Sequence, residues 1–282
     1  MSSGVGFFIG FLEMALEETR DSESSRLSRI FREIQEKVDK TREKITEAAR
    51  RAGRNPSDVL LVGVSKYAKP NDGVVEGLLR AGIFDLAENR EKTFVEKATY
   101  WNVNDDNLTN SQRLDFRGKI KWHFIGAMQR NKVRKILPYT TLLHSIDSVK
   151  LLETVDRILG EEADSPSYPQ SVAALLEVHI SRDESKQGFA PDEIPNVLEI
   201  AQKYKRVNIC GLMGMAGLNA TCEETRRQFE LLRKTLERCR ELFPELTNFK
   251  ELSMGMSGDY ELAIEEGATI VRVGSALYPE KF

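Results

Sequence analysis

The 282-residue chain has few cysteines, few histidines and no surplus of either charge. Its three cysteines, Cys210, Cys222 and Cys239, form no paired framework and no CxxC. That excludes a disulfide scaffold, argues against a structural zinc site and points to three free thiols in a reducing compartment. The three histidines, His123, His144 and His179, show neither H-x-H nor HExxH spacing, so no metal is expected and they read as hydrogen-bonded barrel residues. Lys and Arg number 41 against 44 Asp and Glu, a formal charge of -3. No basic field exists to hold nucleic acid through counterion release, and no nucleic-acid partner is expected. The longest uncharged apolar run, residues 5–12, is far shorter than the ~20 residues of a membrane span and lacks the basic residues that precede a signal-peptide core. Neither export nor membrane association is expected. Glu13, Glu17, Glu18, Asp21 and Glu23 follow that run and oppose a mitochondrial transit peptide. The expected location is cytoplasmic, with a mitochondrial pool left open, and residues 1–24 read as an ill-ordered extension.

Hydrophobic residues make up 40% of the chain and charged residues 30%, enough for a large core. From Ser25 to Arg51, Leu27, Ile30, Ile34, Val38 and Ile45 recur at helical spacing and predict an amphipathic helix stopped near Gly53 and Pro56. The period then changes: Val59–Ser65 is a continuous apolar run of the kind buried on both faces of a parallel sheet. Similar runs follow at 83–87, 121–125, 141–146, 172–180, 207–213, 250–254 and 268–273. Helical stretches such as 191–204 and 221–242 lie between them, and this alternation predicts parallel strands with helical crossovers. Without residues 1–24 and a polar insertion at 99–117, about 240 residues remain, close to the ~250 typical of a single (β/α)8 barrel. A doubly wound open sheet is disfavoured because neither G-x-G-x-x-G nor a Walker-A loop follows the first strand.

Reactive groups of such a barrel stand at the C-terminal ends of its strands. Lys66 continues the parity of Val62 and Val64, which aims it into a partly apolar mouth. Burial there would favour a neutral amine able to attack a carbonyl and form a Schiff base. The plain alternative is a lysine snorkelling out of the strand's last turn. Ser253–Asp259 and Arg272–Ser275 are glycine- and serine-rich turns after strands seven and eight, where phosphate sites often lie. Ser257 could act there as helix N-cap and ligand, while ordinary turn chemistry explains either segment alone. Together with Lys66 the turns suggest a phosphorylated aldehyde.

Seven motifs in order carry a resemblance: Val64-Ser65-Lys66; Trp122-His123-Phe124-Ile125-Gly126 with Gln129 and Asn131-Lys132; His144-Ser145-Ile146-Asp147; Ser185-Lys186-Gln187-Gly188; Gly211-Leu212-Met213; Ser253–Asp259; and Val271–Ser275. From about residue 26 onward the chain resembles the pyridoxal phosphate homeostasis protein family, which is similar to the N-terminal barrel of alanine racemase. The resemblance implies a single-domain alanine-racemase-like (β/α)8 TIM-type barrel over 25–282. It implies pyridoxal 5'-phosphate as cofactor, held as a Schiff base by Lys66, with Ser257, Gly274 and Ser275 on its phosphate. Arg272 would face the pyridine nitrogen, and Asn89 would lie beside the cofactor. A guanidinium keeps its proton, so the ring nitrogen would stay unprotonated and the ring a weak electron sink. The chain departs from the pattern at Ala87 (usually Gly), His179 (often Asn) and Leu277-Tyr278-Pro279 (usually Ile-Phe-Gly).

The function implied is intracellular pyridoxal phosphate homeostasis by a carrier without robust turnover, a monomer whose further partners would be pyridoxal phosphate-dependent apoenzymes. The rival is an amino-acid racemase or decarboxylase on the same barrel. Racemisation needs a second base, supplied in alanine racemase by a tyrosine of the partner subunit's extra β-domain, and no such domain follows Phe282. A phosphosugar aldolase would use Lys66 with Glu177 as its acid or base, and the motif set points away from it.

Overall fold

The computed structural model describes residues 3–102, 116, 118–181 and 187–280, with the side chains of the first helix described from Glu23 onward. Eight parallel strands close in chain order: β1 Leu60–Val64, β2 Asp85–Glu88, β3 Lys121–Phe124, β4 Thr140–Ile146, β5 Val172–Glu177, β6 Val207–Met213, β7 Glu251–Ser253 and β8 Ile270–Val273. β8 returns to β1 in a register that sets Val62 beside Arg272. Every expected apolar run coincides with a strand: β2 ends one residue beyond its run, β4 begins one residue before its run, β6 matches its run, and the other five strands are shorter than theirs. The fifth run is cut at Glu177 because the chain leaves the barrel there to pair Val178 with Phe189.

Among the described residues eight helices flank the barrel: α1 Ser3–Arg51, α2 Val74–Arg80, α3 Glu91–Asn102, α4 Val133–Ile136, α5 Val149–Glu161, α6 Ile194–Ala201, α7 Cys222–Leu242 and α8 Tyr260–Glu265. Local chemistry starts them where the sequence changes period. Ser148 caps α5 by accepting from the Leu151 amide, and Thr221 and Glu224 form a reciprocal capping box at α7. β8 is followed by a 3-10 turn, Ser275–Leu277. α1 packs against both α2 and α8, so it fills the outer position between the first and last crossover helices. Its inner face buries Ile30, Ile34, Val38, Ile45, Ala48 and Ala49, recurring at three and four residues as the periodicity predicts. Each of its buried isoleucines and its buried valine contributes about 1.5–3 kcal/mol.

Two apolar cores result. The larger lies between sheet and helices, and the smaller fills the barrel interior with Val62, Val64, Ala87, Leu142, Leu175, Met213 and Ile270. Interior side chains alternate with outward ones along each strand, as in other barrels filled by layers of side chains. No helix among the described residues is long and apolar enough to cross a membrane. The expected extension at residues 1–24 falls mostly where side chains lie outside the described residues, as does most of the insertion at 99–117.

Close packing of β6 on β7 generates a test. A Cβ on Gly211 would stand 2.0 Å from the Glu251 carbonyl oxygen, whereas one on Gly258 meets nothing within 4 Å. Gly211→Ala is expected to lower the thermal midpoint by several degrees, a loss on the order of 1–3 kcal/mol. Gly258→Ala is expected to leave it unchanged, as calorimetry of the two variants would show.

Candidate functional site

Lys66 stands in the turn just beyond β1, past two lumen residues of its own parity, Val62 and Val64. Of the two readings of Lys66, the snorkelling one matches the structure: its side chain is exposed, and its amine lies 5.1 Å from the centre of the Tyr67 ring. A turn follows β1, closed by the Ala68 amide donating to the Ser65 carbonyl at 2.8 Å. The turn is held from two sides. On one, Ser65 donates from Oγ to Glu88 Oε1 at 2.7 Å, and the Lys97 ammonium donates to the Ser65 carbonyl at 2.6 Å. Lys97 and Glu88 form a fully buried ion pair, with Thr93 donating to the second Glu88 oxygen at 3.2 Å. On the other side, Tyr278 donates its hydroxyl to the Val64 carbonyl at 2.7 Å and accepts from the Tyr67 amide at 3.4 Å, bracketing Ser65 and Lys66.

The phosphate candidates gather where β8 meets β1. Ser257 Oγ accepts from the Gly274 amide at 3.1 Å and the Ala276 amide at 3.4 Å, so two backbone donors converge on the serine. Gly274 is buried against the Val64 carbonyl, and the Ser275 side chain is exposed beside it. Ser257 does not cap α8, contrary to expectation. That position belongs to Asp259, whose Oδ1 accepts from the Met256 amide at 2.6 Å.

Arg272 lies in the lumen, 3% exposed, donating from Nη1 to Ser253 Oγ at 2.6 Å and from Nη2 to the Gly214 carbonyl at 3.2 Å. Burial pulls its ionisation down to about 10, while Asp259 and Glu177 act to raise it, so the group stays charged at neutral pH. Ser253 also contacts His144 Nδ1 at 2.8 Å, His144 Nε2 contacts His123 Nδ1 at 2.9 Å, and His123 Nε2 contacts Asp85 Oδ1 at 3.0 Å. His144 is held well below the usual histidine range, first by burial and then by His123 and Arg272. The third histidine stands apart from this line; its Nε2 is buried and without a hydrogen-bond partner among the described residues. Asn89, half-buried after β2, lines a cavity of about 680 Å³ with Phe124, Met128, Arg130 and Lys150. Neither Lys66 nor Arg272 lines it, so Asn89 faces a space beside the other candidates. Ser185 and Lys186 lie outside the described residues.

Residues 105–281 match the family model described as alanine racemase, N-terminal domain. A relative from Aquifex aeolicus is 32% identical over 246 residues, 87% of this chain and 97% of its own, and carries the name pyridoxal phosphate homeostasis protein. The chain belongs to the pyridoxal phosphate homeostasis protein family. Among solved structures, a protein from Bifidobacterium adolescentis is 31% identical with a TM-score of 0.74, covering 88% of this chain and 95% of that one. PipY of Synechococcus elongatus, solved with PLP bound, is 30% identical with a TM-score of 0.67, covering 83% and 100%.

Two supports of the site went unread in the sequence. Lys97 occupies the buried stripe of α3 with Phe94, Ala98 and Trp101, and a lysine on an apolar stripe is a signal for a buried ion pair. Tyr278 stood out only as a departure from the family's usual phenylalanine, and the hydroxyl it adds is what brackets the Lys66 turn. Tyr278→Phe is expected to cost about 1 kcal/mol of stability and to speed hydrogen exchange at the Tyr67 amide, read by mass spectrometry or NMR.

His144 generates a pH dependence. The unfolded chain takes up its proton near 6.5 and the folded chain only well below that value, so between the two the unfolded state binds more protons. The resulting stability is present above 6.5 and is lost as pH falls toward the folded-state value. Denaturant titrations from about pH 7.5 down to about pH 5.5 are expected to show a loss of up to ~1.4 kcal/mol per pH unit in that window, smaller in His144→Gln.

Proposed function

We propose that the chain holds pyridoxal 5'-phosphate through Lys66 at the barrel mouth, and that it stores and passes on the cofactor without robust turnover. One observation carries the reading: a lysine turn clamped on β1 lies at the same strand seam as two convergent backbone donors and a buried arginine on β8. The residues suit such a cofactor. The Gly274 and Ala276 amides and the hydroxyls of Ser257 and Ser275 offer donors for a phosphate, and Asn89 offers an amide near the end of β2. Bound there, the cofactor would supply an aldehyde for the lysine amine and a ring able to take up electrons. Lys66 holds, the β7 and β8 turns orient, and Arg272 faces the ring nitrogen. Because Arg272 keeps its own proton, it does not protonate that nitrogen, and the ring is left poorly suited to stabilising a carbanion. The names of the relatives and the PLP bound to PipY support the same reading.

The reading extends to a cytoplasmic monomer that delivers pyridoxal phosphate to dependent apoenzymes. Cys210, Cys222 and Cys239 are free thiols, which suits a reducing compartment.

Purified protein is expected to be yellow, and borohydride reduction followed by peptide mass spectrometry to place the cofactor on Lys66. Attachment to another lysine would overturn the site. The same preparation, incubated with L- and D-alanine or serine, is expected to give no racemisation, decarboxylation or transamination beyond free cofactor. A turnover number within the common ~1–10³ per second would overturn the carrier reading.

A further inference from the structure

Binding a cofactor at the mouth leaves Asp85, His123 and His144 without a task, although they connect the opposite end of the barrel to Arg272. Asp85 is the first residue of β2 and Arg272 the next to last of β8, and the His144–Ser253 contact joins two strands, β4 and β7, that are not neighbours in the sheet. The line therefore crosses the lumen. Hydrogen-bond chemistry fixes its direction. Arginine only donates, so Ser253 Oγ accepts from Arg272. A carboxylate only accepts, so His123 carries its proton on Nε2, toward Asp85. With that ring neutral, its Nδ1 accepts, and His144 Nε2 must donate to it. His144 Nδ1 is then bare and accepts the one hydroxyl proton of Ser253. Every contact is satisfied once, and no other placement of these protons on neutral rings does so. A charged His123 would turn the His144 proton toward Ser253, which would then face two donors and lose His144 as its acceptor.

We propose that Asp85 imposes one direction of donation along His123, His144 and Ser253, and that this relay positions the Arg272 guanidinium toward the cofactor ring. The inference rests on the reading of Arg272 as the group that faces the pyridine nitrogen. Asp85, His123, His144 and Ser253 are positioning residues: the lumen sets the orientation of the guanidinium from below, while Glu177 and Asp259 balance its charge. Burial first, then His123 and Arg272, disfavour a charge on His144, as the direction requires.

Long-range proton–nitrogen NMR of the ligand-free, nitrogen-15-labelled protein reads the relay directly. Both His123 and His144 are expected to be neutral at about pH 7.5 with the proton on Nε2, and Asp85→Ala is expected to give His144 a population protonated on Nδ1. An Nδ1-protonated or charged ring in the wild type, or a His144 signal indifferent to Asp85→Ala, overturns the relay. If Asp85→Ala does not fold, Asp85→Asn serves, since its amide can donate to His123 and is expected to produce the same mixed His144 signal. Titration with pyridoxal 5'-phosphate, followed by absorbance, reads the consequence. Asp85→Ala and Ser253→Ala are each expected to weaken binding on the order of fivefold and to shift the band. The double variant is expected to be no weaker than the weaker single one, because both cut the same line. Losses that multiply overturn the coupling. A wild-type protein that shows no band overturns the cofactor reading, and wrong tautomers overturn the relay alone.

Discussion

A permanent positive charge inside the barrel is the constraint around which the interior is built. Lumen positions near Arg272, such as Val62 and Ile270, are aliphatic, and an unpaired guanidinium among them would cost more than the whole net stability of a typical domain. It is tolerated because Ser253 and Gly214 accept its protons and two carboxylates lie close enough to favour its charge. Each compensation has to be compensated in turn. Ser253 needs an acceptor for its hydroxyl, that acceptor is a histidine, and the second histidine leads to Asp85. Polar residues on β2, β3, β4 and β7 thus follow from one arginine on β8.

The mouth is organised differently, at the seam where the first and last strands meet. The Tyr278 hydroxyl ties down β1 across 214 positions of sequence, and the two amides that meet Ser257 join the β7 turn to the β8 turn. Lys66 needs this support because it is exposed: with no packing around its own side chain, its placement depends on the backbone on either side. The buried Lys97–Glu88 pair gives that backbone a second anchor. Removing one partner of such a pair typically costs 3–5 kcal/mol, because the other charge is left buried and alone.

Periodicity revealed the barrel because its strands are buried on both faces and read as continuous apolar runs, and because α1 shows its stripe over seven turns. Lys66, Arg272 and the serines were legible because they stand at the ends of those runs, within motifs of the family. What escaped was non-local. Asp85 sits within the second run as a single acidic residue, and nothing nearby in sequence reveals that the His123 ring reaches it from the next strand. Ser257 was read as a cap because serine before a helix commonly is one; only the return of β8 shows which amides it meets. For Lys66 the sequence left both a buried and a snorkelling side chain open, and the structure has the exposed one, because strand parity stops predicting direction once the ladder ends.

The position of α1 bears on the order in which the molecule can be completed. Its Lys44 pairs with Glu261 of α8, 217 positions downstream, so a ribosome adding ~5–20 residues per second leaves the helix waiting on the order of ten seconds or more. Throughout that interval the stripe from Ile30 to Ala49 can cover α2 but has no eighth helix to lean on. Although it precedes every strand, α1 is therefore fully buried only after α8 is made. The nascent chain carries an unpaired amphipathic surface until α8 emerges, which is the period in which chaperones and aggregation compete for it.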